Sequence, residues 1–311
     1  MALVYLEWHE YAPAEVAGGA VTIGNFDGVH RGHQALVAAV RRRAAALGGP
    51  AVVVTFSPPP HQVLHPGSER PPLTTLPQRA QLLAEAGADH VVVLRTSPAL
   101  LALSAEAFFE DVIVRQLAAR AVVEGYNFRF GRGRGGSNDT LRTLCHQTGI
   151  VFEEVPAFLL AGEPVSSSRV RAALLGGDVR QAAEVLGRHY RIEGTVVAGA
   201  RRGRTLGFPT ANLADVPTVL PATGVYAVRA AVAGTWWPAA ANIGPNPTFG
   251  DEARKIEVHL IGFTGDLYGQ RLEVDFVDRL RETRPFASVS DLITQLQQDL
   301  QHAQGILSAG E

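Results

Sequence analysis

The sequence predicts an α/β domain built on a parallel sheet, followed by a small antiparallel β-barrel with a C-terminal helix. Three observations predict it. Up to about residue 187, unbroken apolar runs alternate with segments whose apolar residues recur at helical spacing, the mark of strands covered on both faces. From Tyr190 onward apolar and polar residues alternate, with turn signals every ten residues or so. The last segment, from about Ser290-Asp291, carries Leu292, Leu296 and Leu300 on one helical stripe. The expected domains are residues 1–187 and 188–311.

The 311 residues include 46% hydrophobic side chains, enough for a substantial core. A net charge of -2 argues against a generic nucleic-acid binder. A single cysteine, Cys145, excludes an intramolecular disulfide. The start, Met1-Ala2-Leu3-Val4-Tyr5-Leu6-Glu7, meets a charge too early for a signal peptide, and no apolar run reaches membrane-spanning length. The expectation is a soluble cytoplasmic protein, monomeric or weakly homo-oligomeric, acting on small molecules rather than nucleic acid or membrane.

In order, the predicted elements begin with the β-branched run into Gly24-Asn25-Phe26-Asp27-Gly28-Val29-His30-Arg31-Gly32-His33, then a helix carrying Leu36, Val37, Val40, Ala44 and Leu47. Arg41, Arg42 and Arg43 read as a solvated face of it. Ala51–Phe56 is a buried strand running into an extended Ser57-Pro58-Pro59-Pro60 loop. A helix over Pro77–Ala86, a strand at His90–Leu94 and a helix from Ser104 with Phe108, Val112 and Leu117 follow. Ala121–Glu124 is the next strand, ending in Gly125–Gly131. A helix at Thr140–Gln147, a strand at Ile150–Val155 and a short helix at Asp178–Arg188 close this half. In the second half, Val225–Ala233 and Trp236–Ile243 form a hairpin around Gly234-Thr235. Lys255–Gly262 and Arg271–Leu280 are expected to pair around Gly265–Gly269.

Ligands of parallel sheets lie past the carboxyl ends of the strands, where Gly24–His33, Ser57–Pro60, Gly125–Gly136 and Ser166-Ser167-Ser168 all fall. A glycine-punctuated turn leading into a helix start offers unpaired N–H groups and a positive dipole end to an anion. His30 and His33, three residues apart, can share one side of the first turn. Phosphate contact, helix capping and zinc ligation are all open to them. Zinc is disfavoured because no cysteine is near and no third ligand has suitable spacing. Arg129, Arg132 and Arg134 among glycines form either a basic loop over a ligand or an ordinary surface loop. Ser166–Ser168 before Arg169 and Arg171 form either a helix cap or a phosphate grip. In the second half, the glycine- and arginine-rich loop before Thr210 and Asn212 reads as a nucleotide and metal site, since hydroxyl and amide oxygens suit Mg²⁺. Alternation puts Glu257 on the face opposite Ile256 and Val258.

Gly24–His33 resembles the HxGH signature of the nucleotidylyltransferase superfamily, in the form used by bacterial FAD synthetases. Thr55-Phe56-Ser57-Pro58, Gly125–Gly131 and Ser166–Arg171 resemble that family's further blocks in the expected order. This chain has Asn127 where many relatives carry aspartate, and Ser168 where the hydroxyl run usually ends in threonine. The resemblance implies a Rossmann-like α/β domain that transfers the adenylyl group of ATP to FMN. It implies ATP contacts at Gly24, Phe26, Asp27, His30, His33, Asn127, Ser166, Ser168 and Arg171, with His30 and His33 as the catalytic pair.

The second half resembles the riboflavin kinase module that follows this domain in bifunctional FAD synthetases. Gly207-Phe208-Pro209-Thr210-Ala211-Asn212, the block Asn242–Phe249 and Glu257-Val258-His259 carry the likeness, which extends over roughly residues 15–300. It implies ATP contacts at Gly203, Gly207, Thr210 and Asn212, Mg²⁺ at Thr210 and Asn212, and Glu257 as the general base that activates riboflavin. The segment Leu280–Phe286 departs from the family pattern. Rival readings are a single-activity adenylyltransferase and a flavin-binding regulator.

Overall fold

The computed structural model describes residues 3–67, 70–199, 203, 206–246 and 251–308. The chain divides into two compact units, Met1–Arg70 with Thr74–Ser166, and Pro71–Leu73 with Ser167–Glu311.

The first unit is a six-stranded parallel sheet. Its strands are β1 (Leu3–Leu6), β2 (Ala20–Ile23), β3 (Ala51–Ser57), β4 (His90–Arg95), β5 (Ala121–Gly125) and β6 (Val151–Val155), in the order β1-β4-β3-β2-β5-β6. β1 is an addition to the expected elements. It is four residues long and pairs with β4 from Leu3–Val91 to Leu6–Leu94. Successive residues of each central strand go to opposite cores. Val52 and Val54 pack with Phe108, Phe109, Val112, Leu141 and Cys145. Ala51 and Val53 pack with Leu36, Val37, Val40 and Leu83. Both faces are dry, which is why these strands read as unbroken apolar runs.

One face is covered by α1 (Arg31–Leu47) and α3 (Leu76–Glu85), the other by α5 (Ala105–Phe108) with its continuation and by α6 (Asn138–Thr148). Two local differences from the expected elements have clear causes. Pro60 opens a short helix, α2 (Pro60–Leu64), because a proline at the first helical position gives up no needed donor. Past α5 the helix widens to π geometry over Phe109–Gln116, and the Gln116 amide donates to the Glu7 and Glu10 carbonyls. α4 (Pro98–Ala102) and the small hairpin β7–β8 (Leu159–Leu160, Glu163–Pro164) complete the unit. The α1 arginines are a charged surface face: Arg41 donates to Gly87 and Asp89, and Arg43 to Glu153.

The second unit begins with α7 (Ser167–Gly176) and α8 (Val179–Leu186), which the sequence reading groups with the first half. α8 buries Val179, Ala182, Val185 and Leu186, and packs on the strands that follow it. Those strands are β9 (Tyr190–Val197), β10 (Ala211–Ala214), β11 (Gly224–Val232), β12 (Thr235–Asn246), β13 (Asp251–Leu260) and β14 (Arg271–Arg281). They close a barrel in the order β10-β13-β12-β11-β14-β9, every pair antiparallel. Closure leaves no edge strand. Tyr190, Ile192, Tyr226, Val228, Ile243, Val258, Val274 and Phe276 fill the core. The two buried tyrosine hydroxyls donate to Val219 and Ala222 carbonyls.

The β11–β12 hairpin forms, but its two-residue turn is Ala233-Gly234, one residue earlier than expected, because Val232 pairs with Thr235 and both turn residues take the positive φ that a type I′ turn requires. The expected pairing of 255–262 with 271–280 is not found. β13 lies between β12 and β10, and β14 between β11 and β9, so the loop joining them crosses an end of the barrel. That loop is tied down on β9 through Gly269 N–H and Val196 O. The last helix, α9 (Val289–Ser308), packs on the barrel, deepest at Asp299, Ala303 and Leu307 rather than along the leucine stripe. Asp299 accepts three hydrogen bonds from the Arg281 guanidinium at 2.7–3.0 Å and is 5% exposed.

Removing one partner of a buried ion pair strands the other charge, so Asp299→Ala should destabilise the barrel unit by about 3 kcal/mol. The check is a lowered urea midpoint by circular dichroism; an unchanged midpoint contradicts this role.

Candidate active sites

The first candidate site lies where the strand order reverses. β2 continues the sheet to β3 on one side, while β5 begins the other half. At such a switch point the strand ends diverge and leave a crevice. The loop from β2 to α1 enters it. Gly24 N–H still bonds to Val54 O, and the Thr55 hydroxyl donates to Asn25 O. The chain then turns with φ of +48° at Phe26 and +42° at Val29, conformations that neither side chain favours. Both side chains are buried, at 2% and 1% exposure, and that packing holds them there.

Asp27 shapes the same turn from outside. Its Oδ1 accepts from Thr74 N–H and from the Arg79 guanidinium, both at 3.2 Å. The Thr74 hydroxyl in turn accepts from Gly28 N–H. Arg79, on α3, is 4% exposed.

His30 is the N-cap of α1, its Nδ1 accepting the His33 N–H at 3.4 Å. The two imidazoles stack 3.6 Å apart, and Phe26 meets His33 edge-on at 5.1 Å. Capping by His30 leaves the phosphate reading intact for the pair, since the cap uses only one ring nitrogen. Burial, with His30 and Arg79 nearby, holds the His33 pKa well below the usual value. His33 is therefore neutral at physiological pH. Its Nδ1 is buried without a hydrogen-bond partner among the described residues. Gly32 has no spare room: a Cβ there would sit 3.0 Å from Val165 and 3.2 Å from the His30 ring.

The Gly125–Gly136 loop is closed by paired Phe130 and Gly136, and Arg132 N–H bonds to Leu103 O. Arg132 and Arg134 lie exposed in its 3₁₀ turn, and Asn127 is exposed at its start. Ser166 ends the first unit. Ser168 and Arg171 lie on α7 in the second, where Arg171 donates to Pro71 O.

The second candidate site is on the barrel. Asn212 of β10 stands directly opposite Glu257 of β13, which stands directly opposite Asn242 of β12. Side chains opposed on neighbouring strands are about 5 Å apart at Cβ, so an amide, a carboxylate and a second amide form one row. The row lies on the outward face: Ile256 and Val258 on either side of Glu257 are buried, as alternation requires. The Thr283 hydroxyl donates to Asn242 Oδ1 at 3.4 Å, which brings the divergent 280–286 segment to the row's end.

Thr210 borders a cleft of about 670 Å³, whose walls include Val196, Val258 and Leu260 and whose rim is Phe263–Tyr268. Two glycines press close. A Cβ on Gly199 would overlap the Asn212 amide, and one on Gly203 would lie 3.4 Å from the Thr210 hydroxyl and collide with Phe208 O. Gly207, at φ +87°, turns the chain toward Thr210. His259 Nδ1 lies 2.7 Å from Pro209 O and fixes the same approach. Arg201, Arg202 and Arg204, with Pro247, Thr248 and Phe249 of the second block, lie outside the described residues. Among the described residues, no group of three or more His, Cys, Asp or Glu side chains is arranged to hold a metal ion. None of the helices described is long and apolar enough to cross a membrane.

Comparison with known proteins matches both halves. The FAD synthetase family model matches residues 12–169, and the riboflavin kinase model matches residues 186–307. A bifunctional riboflavin kinase/FMN adenylyltransferase from Pseudomonas fluorescens is 40% identical over 299 residues, covering 96% of each chain. The chain belongs to the bifunctional riboflavin kinase/FMN adenylyltransferase family. The member from Escherichia coli is 36% identical over 94% of this chain and 93% of its own length. The member from Bacillus subtilis is 33% identical over 95% and 94%. A crystal structure described as a macrolide-efflux protein from Streptococcus pneumoniae superposes with a TM-score of 0.87 at 30% identity, covering 97% of this chain and 99% of that one.

The parallel-sheet part is thus an FAD synthetase domain and the barrel a riboflavin kinase domain. Sequence reasoning missed Thr74, Arg79 and Glu124 in the FAD synthetase domain. Glu124 had a signal, a charge ending the apolar run Val122-Val123. Arg79 had a weaker one, its place just after the capping sequence Thr75-x-x-Gln78.

Gly32→Ala should make Val165 and the His30 ring give by a few tenths of an ångström. Misplacement near a reacting centre is costly, so FAD formation from FMN should fall about threefold to tenfold while FMN formation from riboflavin is unchanged. Equal loss of both, or of neither, contradicts this geometry.

Proposed function

We propose that the barrel phosphorylates riboflavin at Glu257 and that the α/β domain adenylylates the resulting FMN at His30 and His33. What carries this reading is the row of Asn212, Glu257 and Asn242 on three adjacent strands, together with the histidine pair at the start of α1. The two reactions ask different things of a protein. A ribityl hydroxyl must lose its proton to attack the γ-phosphate of ATP, and a carboxylate within reach can take it. The FMN phosphate is already an anion when it attacks the α-phosphorus, so it needs alignment and stabilisation of the leaving pyrophosphate instead.

In the barrel, Glu257 is the base. Gly203 and Gly207 let the backbone come close to the ATP phosphates beside Thr210 and Asn212. The oxygen donors of Thr210 and Asn212 fit Mg²⁺, and the lack of a side chain at Gly203 lets the chain pass against Phe208 O beside the Thr210 hydroxyl. Bound Mg²⁺ supplies positive charge against the phosphates. In the α/β domain, a neutral imidazole at His33 donates to phosphate oxygen, and His30 with the positive dipole end of α1 adds to it. Ser168 and Arg171 serve the β/γ end, Ser166 and Asn127 the phosphates, and Gly24, Phe26 and Asp27 form the loop on which ATP lies. Asp27 does so through Thr74 and Arg79. The enzyme works on free small molecules in the cytoplasm as a monomer or weak homo-oligomer, without nucleic acid. The proposed functional boundary is 187/188, between α8 and the first barrel strand, although α7 and α8 pack with the second unit.

Glu257→Ala should abolish FMN formation from riboflavin, by about 10²–10⁴-fold for a lost general base, while FAD still forms from supplied FMN. His33→Ala should do the reverse. The check is chromatographic resolution of flavins after incubation with ATP and Mg²⁺. Loss of both activities in either folded variant overturns the two-site assignment. Chelating Mg²⁺ should stop FMN formation; FMN formed at the full rate in excess chelator would remove Thr210 and Asn212 from the metal role.

A further inference from the structure

Beyond Val21 the two halves of the sheet no longer share a backbone ladder. β2 pairs with β3 as far as Ile23–Val54, but with β5 only at Ala20–Ala121 and Val21–Val122. The N–H of Ile23, which faces the gap, is taken by a side chain: Glu124 Oε1 accepts it at 2.7 Å. Glu124 belongs to the opposite strand, β5, and is 1% exposed. On the other flank, Gly24 N–H bonds to Val54 O. The last two N–H groups before the histidine loop are therefore pinned on opposite sides, one by the sheet and one by a carboxyl group.

We propose that Glu124 is a positioning residue for adenylyl transfer, a strut that spans the crevice between β2 and β5 and fixes where the loop carrying His30 and His33 leaves the sheet. A backbone ladder continued at this point would close the crevice. An apolar side chain would leave the Ile23 N–H buried and unpaired. Glu124 bridges the gap while keeping it open. Burial pushes its pKa well above the ordinary carboxylate value, against the opposing pull of Ile23 N–H. What the strut supplies to Ile23 N–H is an acceptor oxygen at the right reach, which a glutamine amide also offers.

The inference rests on the adenylyl-transfer reading of the His30/His33 corner. Its test uses Glu124→Gln, Glu124→Asp and Glu124→Leu in the full chain, with kcat and KM for FAD formation from FMN, and FMN formation from riboflavin as the internal control. Gln keeps the oxygen and the length, and should stay within about threefold of wild type. Asp keeps the oxygen but is one methylene short, and Leu keeps the bulk but has no acceptor. Both should lose at least tenfold in kcat, with KM for ATP changed less and FMN formation unaffected. Asp or Leu at wild-type kcat, or Gln falling as far as Leu, overturns the proposal. If the Leu variant does not fold, the Gln and Asp pair decides. His33→Ala in parallel separates the two ideas: if it leaves FAD formation intact, the adenylyl-transfer reading fails. If only the Glu124 variants do, the strut alone fails.

Discussion

The first site depends on a buried charge. Arg79 is almost wholly enclosed, and a guanidinium in that position must be paired. Its partner Asp27 lies in a loop that has to turn twice through φ values unfavourable for phenylalanine and valine, at a cost on the order of 1–3 kcal/mol each. The ion pair, the Thr74 hydrogen bonds and the burial of Phe26 and Val29 together over-determine that turn. The result is a histidine pair delivered at a helix start in one orientation. The same guanidinium then acts at a distance, since its positive charge helps keep His33 neutral. One interaction thus serves both the shape of the corner and its protonation state.

The barrel reaches its site by a different constraint. Inward residues of β13 must be apolar to fill the interior, so residues between them must point out. Antiparallel register then decides which outward residues meet. Asn212, Glu257 and Asn242 meet because β13 lies between β10 and β12. Had β13 paired with β14, as sequence order suggests, Glu257 would have different neighbours. The position of the carboxylate is a property of the topology as much as of the residue.

That contrast explains what the sequence made legible. Alternation and continuous apolar runs mark which faces are buried, and the parallel sheet, the barrel, the β11–β12 hairpin (though not the exact place of its turn) and the final helix were readable from them. The motifs singled out Gly24–His33, Thr210, Asn212 and Glu257 as candidates. Alternation does not name a strand's partner, so the neighbours of β13 and β14 were not readable. Four residues at β1 are too few for a periodic signal, and that strand is defined by β4 beside it. Asp27 stood out within a motif, but its partners Thr74 and Arg79 come from a separate stretch, about 50 residues on. Glu124 was visible as a charge ending an apolar strand. Its meaning depends on the β2–β5 ladder stopping at Val21–Val122, which only the fold reveals.

The central claim is that one chain holds two separate sites, one for each reaction. The most direct test mixes two variants that each lack one of the two activities, Glu257→Ala and His33→Ala, and follows flavins from riboflavin, ATP and Mg²⁺. Neither variant alone should make FAD. The mixture should accumulate FMN and then, after a lag, FAD. A mixture that makes FMN but never FAD would contradict the account.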